Sequence, residues 1–345
     1  MFNSLSSNAI TAKARAIYGK RLTAADYHEL LNKRSVAEVA AYLKQTPGYS
    51  EFLTEIIESQ VHRGQLEAML SRCRLSRFSS LCHYDFSPKR GFFRYAAIDI
   101  EVGLILQAVV LLNSSTPEKI INAAPSFMAD YASFDFIALS HIQDFSGLLE
   151  VLKQTPYEKL LRPLAAENGK INLSRCELVL KTYYYQSLLD LIDQNYRGKV
   201  RKELREIVLI EIELINLSLI YRLKRYFKRT PEQIKTRLLP FSYKLNGRAL
   251  EELLQPEGDD KNIIRSRLSV YSSKMQDVSF NYVEDYTHRL LFILTRRMLR
   301  FSTAAPIIFY SLITLLNIEL ENLTVLIEGI RYGHNPAEIE KILIL

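Results

Sequence analysis

The chain has 345 residues with a formal net charge of +7, and 48% of its side chains are apolar against only 12 Gly and 11 Pro. That length holds two or three domains, and the apolar content without any low-complexity stretch excludes an intrinsically disordered protein. The mild basic excess suits an acidic protein partner, anionic lipid headgroups or nucleic acid, and does not choose among them.

Taken in order, Lys13, Arg15 and Lys20 are preceded by no apolar run of signal-peptide length. Leu22 to Asp26 and Arg34 to Glu38 read as two helix starts, the second with Ser35 as cap and Glu38 completing a capping box. Apolar residues recur at helical spacing from about Phe52 to Leu81, Ser87 to Gly91 breaks the pattern, and a helix is expected from about Phe92 to Leu112.

The middle of the chain keeps the same order of elements. Ser146 to Lys153 reads as a short helix, Cys176 to Gln194 as a long one, and Val200 to Arg229 runs without Gly or Pro between Gly198 and Pro231. In the last third, Asn246 to Leu250 opens a short helix, Pro256 to Asp260 is a surface turn, and Val283 to Arg300 and Pro306 to Arg331 are the long pair. The stretch from Phe301 to Ile318 carries no charge, yet it includes Ser302, Thr303, Pro306, Ser311, Thr314 and Asn317, so a buried core helix is expected rather than a membrane span.

Three short stretches repeat: Thr116-Pro117-Glu118-Lys119-Ile120, Thr230-Pro231-Glu232-Gln233-Ile234 and Asn335-Pro336-Ala337-Glu338-Ile339. Each is a helix start, with a capping Thr or Asn and a Pro that needs no donor at the first helical position. An apolar segment carrying a glutamate precedes each, and Glu101, Glu213 and Glu319 stand 16, 18 and 17 residues before the three prolines. A second marker agrees: Leu43-Lys44-Gln45-Thr46-Pro47-Gly48-Tyr49 returns as Leu152-Lys153-Gln154-Thr155-Pro156-Tyr157, 109 residues later from proline to proline. The expected architecture is all-α, with three helical repeats over residues 1–127, 128–238 and 239–345.

Chemistry-bearing patterns are absent. Asp99/Glu101, Glu211/Glu213 and Glu319/Glu321 are two apart on helices, so each pair diverges by about 200° and cannot share one site. One carboxylate of each pair is expected to meet a basic group on a neighbouring helix and the other to face solvent. His28, His62, His83, His141, His288 and His334 lack metal-ligand spacing, and Cys73, Cys82 and Cys176 form no paired motif. Neither a phosphate-binding glycine loop nor a nucleophile elbow occurs, so no catalytic, cofactor or metal residue is expected, and no bound nucleotide. The odd cysteine count fits a reducing, cytoplasmic setting.

Basic clusters lie at Arg197 to Lys202, Arg222 to Arg229 and Arg296 to Arg300. Glu203 and Glu206 interleave with the first, and no zinc-finger or RNA-recognition signature is present, so nucleic acid is not the expected partner. Docking on an acidic protein surface suits the same residues. Tyr183-Tyr184-Tyr185 reads as helix-packing tyrosine.

The repeats, Arg15-Ala16-Ile17-Tyr18 ahead of the Leu22 to Tyr27 helix start, the Leu-Lys-x-Thr-Pro marker, and Glu-x-x-Asn-Leu at Glu213 to Leu217 and Glu319 to Leu323 together resemble one family over the whole chain. It is the C-subunit family of the bacterial and archaeal V/A-type ATPases, whose eukaryotic counterpart is the d-subunit of vacuolar ATPases. The first copy departs from the pattern, with Leu104 where the asparagine would stand. The resemblance implies three all-α domains set pseudo-symmetrically as a funnel. It also implies a cytoplasmic, non-catalytic rotor socket, peripheral on the membrane proteolipid ring, that receives the central shaft, built of the D and F proteins, and transmits torque for ion transport or ATP synthesis. The competing expectation is a cytoplasmic helical scaffold or adaptor with a basic docking surface.

Overall fold

The computed structural model describes residues 4–82, 91, 92, 94–114, 132–164, 171–245, 247–255, 271 and 283–345. Among them every long element is an α-helix and no strand occurs. The expected helix start at Thr116 and the breaks at Ser87 to Gly91 and Pro256 to Asp260 lie outside the described residues, except for Gly91 itself.

Apart from Met1, the chain divides into two compact units: Asp85–Pro256, and Phe2–Tyr84 with Glu257–Leu345. In the first, α5 (Arg94–Asn113) packs against α9 (Leu173–Asn195), and α9 in turn against α10 (Gly198–Arg225). Short helices α6 (Phe136–Leu139), α7 (Phe145–Val151) and α8 (Pro156–Leu161) lie between α5 and α9 in the chain, while α11 (Pro231–Lys235) and α12 (Gly247–Leu254) follow α10 and contact it.

The second unit holds α1 (Ser4–Gly19), α2 (Ala24–Leu31), α3 (Val36–Gln45), α4 (Arg63–Cys82), α13 (Val283–Phe301), α14 (Ala305–Arg331) and α15 (Pro336–Ile342). Its centre is α14, against which α13, α1, α4, α3, α15 and α2 all pack. Twenty of its residues are buried, among them Phe309, Leu312, Leu323 and Leu326. The uncharged stretch ending at Ile318 is therefore a core helix of this unit. Both α5 and α14 are long and apolar enough to span a bilayer, but most of each apolar window is buried within the protein, at 61% and 67%. Burial of each large side chain there stabilises by about 1.5–3 kcal/mol.

The helix starts follow local chemistry. Thr23 and Asp26 form a full capping box on α2, and Thr230 and Gln233 form another on α11. Asn335 caps α15 by accepting from the Ala337 amide, with Pro336 at the first helical position. Asp144 caps α7 and Asn172 caps α9 in the same way. Ser35 caps α3, but the Glu38 carboxylate accepts from the Arg34 amide at 2.8 Å, one residue before the cap, so the expected box is displaced by one position.

Two boundaries differ from expectation. The stretch from Phe52 does not enter a helix at once: 3₁₀ turns at Ser50–Phe52 and Glu58–Gln60 precede α4, with Ile57 and Val61 extended. Lys44 Nζ holds this segment, donating to the Ile56 carbonyl at 2.9 Å and pairing with Glu58 at 2.9 Å. The long helix α10 ends at Arg225 rather than Arg229, because Lys228 adopts a left-handed φ of 51°. Its 28 residues span about 42 Å.

Candidate functional site

Three glutamates organise the contacts between long and short elements. Glu101 on α5 is fully buried, and its carboxylate accepts from the Ser133 amide at 2.6 Å, the Ser133 hydroxyl at 2.8 Å and the Tyr157 hydroxyl at 2.5 Å. Arg94, on the same helix, stands 3.8 Å away. Glu213 on α10 is buried too, and one oxygen accepts from the amides of Tyr243 at 2.6 Å and Leu245 at 2.7 Å. The separations are alike: Ser133 follows Glu101 by 32 residues, and Leu245 follows Glu213 by 32.

Glu319 on α14 repeats the arrangement with partners from the start of the chain. It accepts from the Leu22 amide at 3.2 Å and from the Tyr49 hydroxyl, and Arg77 of α4 pairs with it at 3.4 Å. Arg77 also donates to the Gly48 carbonyl at 2.6 Å and lies over the Tyr49 ring, 4.7 Å from its centroid. Burial, followed by the Glu319 charge, raises the Tyr49 pKa well above its ordinary value, and burial with the Glu101 charge does the same to Tyr157. Both phenols therefore remain donors at neutral pH.

Tyr49 and Tyr157 are the tyrosines that close the Leu-Lys-Gln-Thr-Pro marker in its two copies. Sequence reasoning misses their role as partners of the buried glutamates, although the signal, a marker repeated with its tyrosine, is there. The expected basic partner on a neighbouring helix is found for Glu319, with Arg77 on α4; for Glu101 the nearby cation is on its own helix. The companions Asp99, Glu211 and Glu321 are all less buried than their partners.

The Glu-x-x-Asn-Leu elements place a second staple. Asn216 donates to the Leu239 carbonyl at 3.0 Å and accepts from the Leu239 amide at 2.9 Å. Asn322 does the same with Ile344, at 2.7 and 2.9 Å. Each ties the segment after a Pro-started short helix back onto its long helix. Three residues after Glu101 stands Leu104, which can form no such pair.

The basic clusters lie at helix ends. Asp193 accepts from Arg201 Nε at 2.7 Å and from Arg205 at 2.6 Å, so part of the first cluster is internally paired. Burial acts to raise the Asp193 pKa, and the two guanidiniums more than offset it, holding the carboxyl below its ordinary range. The end of α10 is different in character: Arg222, Arg225, Lys228 and Arg229 are exposed, and between them Tyr226 and Phe227 are 55% and 58% exposed. In the third cluster Arg297 and Arg300 are exposed, while Arg296 is half-buried against Phe292.

The corresponding end of α14 carries Arg331 and an exposed Tyr332, then Gly333 with φ 68°. Lys228 and Gly333 stand at the same place, three residues before Pro231 and Pro336. Glycine takes this conformation without cost, whereas lysine does not. Tyr183 to Tyr185 go mostly into packing: Tyr185 is buried and donates to Glu211 at 2.9 Å, and Tyr183 meets the Tyr157 ring edge-on at 5.4 Å.

All three cysteines are buried and none is in a disulfide, and burial pushes the Cys73 thiol up to about 12 and the Cys176 thiol to about 11, so neither of these two is a nucleophile at neutral pH. Among the described residues no group of three or more His, Cys, Asp or Glu could hold a metal ion.

No curated protein matches the chain. The family model described as ATP synthase (C/AC39) subunit matches residues 10–342, nearly its full length. With an all-α fold and carboxylates that serve packing, the chain belongs to this family of structural subunits of V/A-type ATP synthases.

Proposed function

We propose that this protein is the non-catalytic rotor socket of its V/A-type ATPase, coupling the central shaft, built of the D and F proteins, to the membrane proteolipid ring. It works on the cytoplasmic face, peripheral to the membrane, and its three helical repeats, 1–127, 128–238 and 239–345, form a pseudo-symmetric funnel that receives the shaft. Torque passes through it in the direction of ion transport or of ATP synthesis, with no nucleotide bound by this chain and no nucleic acid engaged.

The observation that carries this reading is the exposed end of α10, where four cations surround Tyr226 and Phe227 and where a lysine holds a backbone conformation that glycine would hold more cheaply. Strain kept at an exposed, charged end is the mark of a contact surface rather than of a stability device. Aromatic and arginine side chains supply binding energy at interfaces, and the surrounding charge steers the partner. Behind that surface, the Glu213 and Asn216 bonds hold α10 to the segment that follows it, which suits a part that must transmit force without yielding.

Binding of this chain to recombinant D and F shaft proteins from the same genome, measured over a salt series, tests the proposal. One-to-one, saturable binding that weakens with salt, and weakens further in an Arg225→Glu, Arg229→Glu variant, is the expected result. No binding at low salt would overturn it.

A further inference from the structure

In each unit a turn joins two long helices, and the two turns share one chemistry. In the first unit α9 ends at Asn195 and α10 begins at Gly198. From Asp193 to Arg205 the chain carries five cations, Arg197, Lys199, Arg201, Lys202 and Arg205, against two carboxylates, Asp193 and Glu203. Arg197, Lys199, Arg201 and Lys202 are exposed. Arg201 and Arg205 take Asp193, and Lys199 stands 3.7 Å from Glu203, so the turn keeps a positive balance, with Lys202 in no ion pair among the described residues.

In the second unit α13 ends at Phe301 and α14 begins at Ala305, and no acidic side chain occurs in the sequence from Tyr286 to Ile318. Arg300 and Phe301 follow Arg297 by three and four positions, so the three share one face of α13, and all are exposed, Phe301 at 77%. Arg15 of α1 joins the same turn, donating to the carbonyls of Leu299 and Arg300 at 3.3 Å and of Ser302 at 2.9 Å. Arg21 and Arg296 line a cavity together with Glu319 and Leu345, so the outward charge of the turn is that of Arg15, Arg297 and Arg300. At the end of α9, Arg197 caps in the same manner, donating to the Asp193 carbonyl and to the Tyr196 carbonyl at 2.8 Å. A helix C-terminus carries partial negative charge that repels an anionic partner, and at both turns a guanidinium covers it.

The two turns keep the sign of the charge but not its pattern. The first spreads its cations over consecutive turn residues, whereas the second draws one from another helix and adds an exposed phenylalanine. In the remaining copy the sequence ahead of α5 likewise offers Lys89 and Arg90. A protein partner reads a fixed arrangement of side chains. The surface of a bilayer with anionic lipid reads only the sign of the charge, and takes an aromatic side chain at headgroup depth. The first turn also stands at the opposite end of α10 from Tyr226 and Phe227, about 42 Å along the helix. We propose that the turns between α9 and α10 and between α13 and α14 dock on a bilayer surface carrying anionic lipid, with Phe301 entering the headgroup layer. This rests on the reading of the protein as a part seated between shaft and membrane, and adds a direct lipid contact to it.

Flotation of the full chain on vesicles of phosphatidylcholine, with and without phosphatidylglycerol, tests the proposal over a salt series. Binding that requires phosphatidylglycerol and falls with salt is the expected result. Each cation removed should weaken it about fivefold, so Arg297→Gln with Arg300→Gln should lose about twenty-fivefold. Lys199→Gln with Lys202→Gln should lose less, because Lys199 is near Glu203. Phe301→Ser should weaken flotation without changing its salt dependence. All five side chains are exposed, so these variants should unfold at the wild-type temperature. The Arg225→Glu, Arg229→Glu variant should float as wild type while losing the shaft proteins, and the turn variants should do the reverse, which separates failure of the lipid contact from failure of the shaft reading. Absence of phosphatidylglycerol-dependent binding, turn variants that float as wild type, or equal losses from the variants at both ends of α10 would overturn the proposal. Turn variants that float as wild type yet lose a detergent-solubilised proteolipid ring would overturn it in favour of a protein partner.

Discussion

The Tyr157 hydroxyl donates to the buried Glu101 carboxylate at 2.5 Å, and 108 positions earlier in the chain Tyr49 donates to Glu319 in the same way. The same repeat marker thus delivers a phenol to two of the three buried carboxylates. In a low-dielectric site such a charge-assisted bond is stronger than a neutral one, and its loss leaves a buried charge under-solvated. Tyr157→Phe is expected to destabilise by about 1.5–3 kcal/mol, read as a lower urea midpoint with unchanged slope.

Glu213 offers a cleaner dissection, because one oxygen serves two backbone amides that no mutation can remove. Glu213→Gln keeps a carbonyl acceptor there and should cost about 1 kcal/mol, whereas Glu213→Ala strands the amides of Tyr243 and Leu245 and should cost about 2–4 kcal/mol. Equal losses in denaturant titration would show that the negative charge, and not the acceptor geometry, holds this contact.

Gly329 inverts a general rule. Gly to Ala inside a helix usually stabilises by about 1 kcal/mol, but a Cβ here would meet Ile339 Cδ1 at 2.5 Å and Cγ1 at 2.7 Å. Gly329→Ala should therefore destabilise by about 1–3 kcal/mol through overpacking of α15 on α14. Adding Ile339→Ala, which removes both atoms, should recover part of that loss, and a double-mutant cycle of thermal midpoints measures the coupling.

At the helix ends the signs are opposite for two equivalent positions. Lys228→Gly relieves a left-handed lysine and should stabilise by about 0.5–1 kcal/mol, while Gly333→Ala should destabilise by a similar amount. If the α10 end is a contact surface, Lys228→Gly also weakens shaft binding despite the gain in stability, and the two measurements together separate the effects.

Asp26 supplies a pH dependence. Burial acts to raise its pKa, and bonds from the Thr23 hydroxyl and amide and from the Tyr42 hydroxyl more than offset it, so the carboxyl sits below its ordinary value. A depressed folded pKa contributes stability above the unfolded value near 3.9, and loses it as pH falls through the folded value. The stability difference between wild type and Asp26→Asn should be about 1 kcal/mol at pH 7 and shrink towards pH 3, as chemical unfolding at the two pH values would show.

The amino-acid sequence by itself determined the all-α class, most helix starts and the marked residues, because caps and Pro-led turns depend on neighbours two to four positions apart. Thr23, Ser35, Thr230 and Asn335 all cap the helices that their local patterns announce. Boundaries such as the end of α10 were less legible, since the composition stays helical through Arg229 while the backbone turns at Lys228. Only the tertiary structure decided what the glutamates do. Glu319 closes onto Leu22, 297 residues away, and α14 takes its core partners from both ends of the chain. No local pattern encodes such a pairing: it is selected when the whole unit buries its apolar faces, and the carboxylate then finds the amides that burial would otherwise leave unpaired.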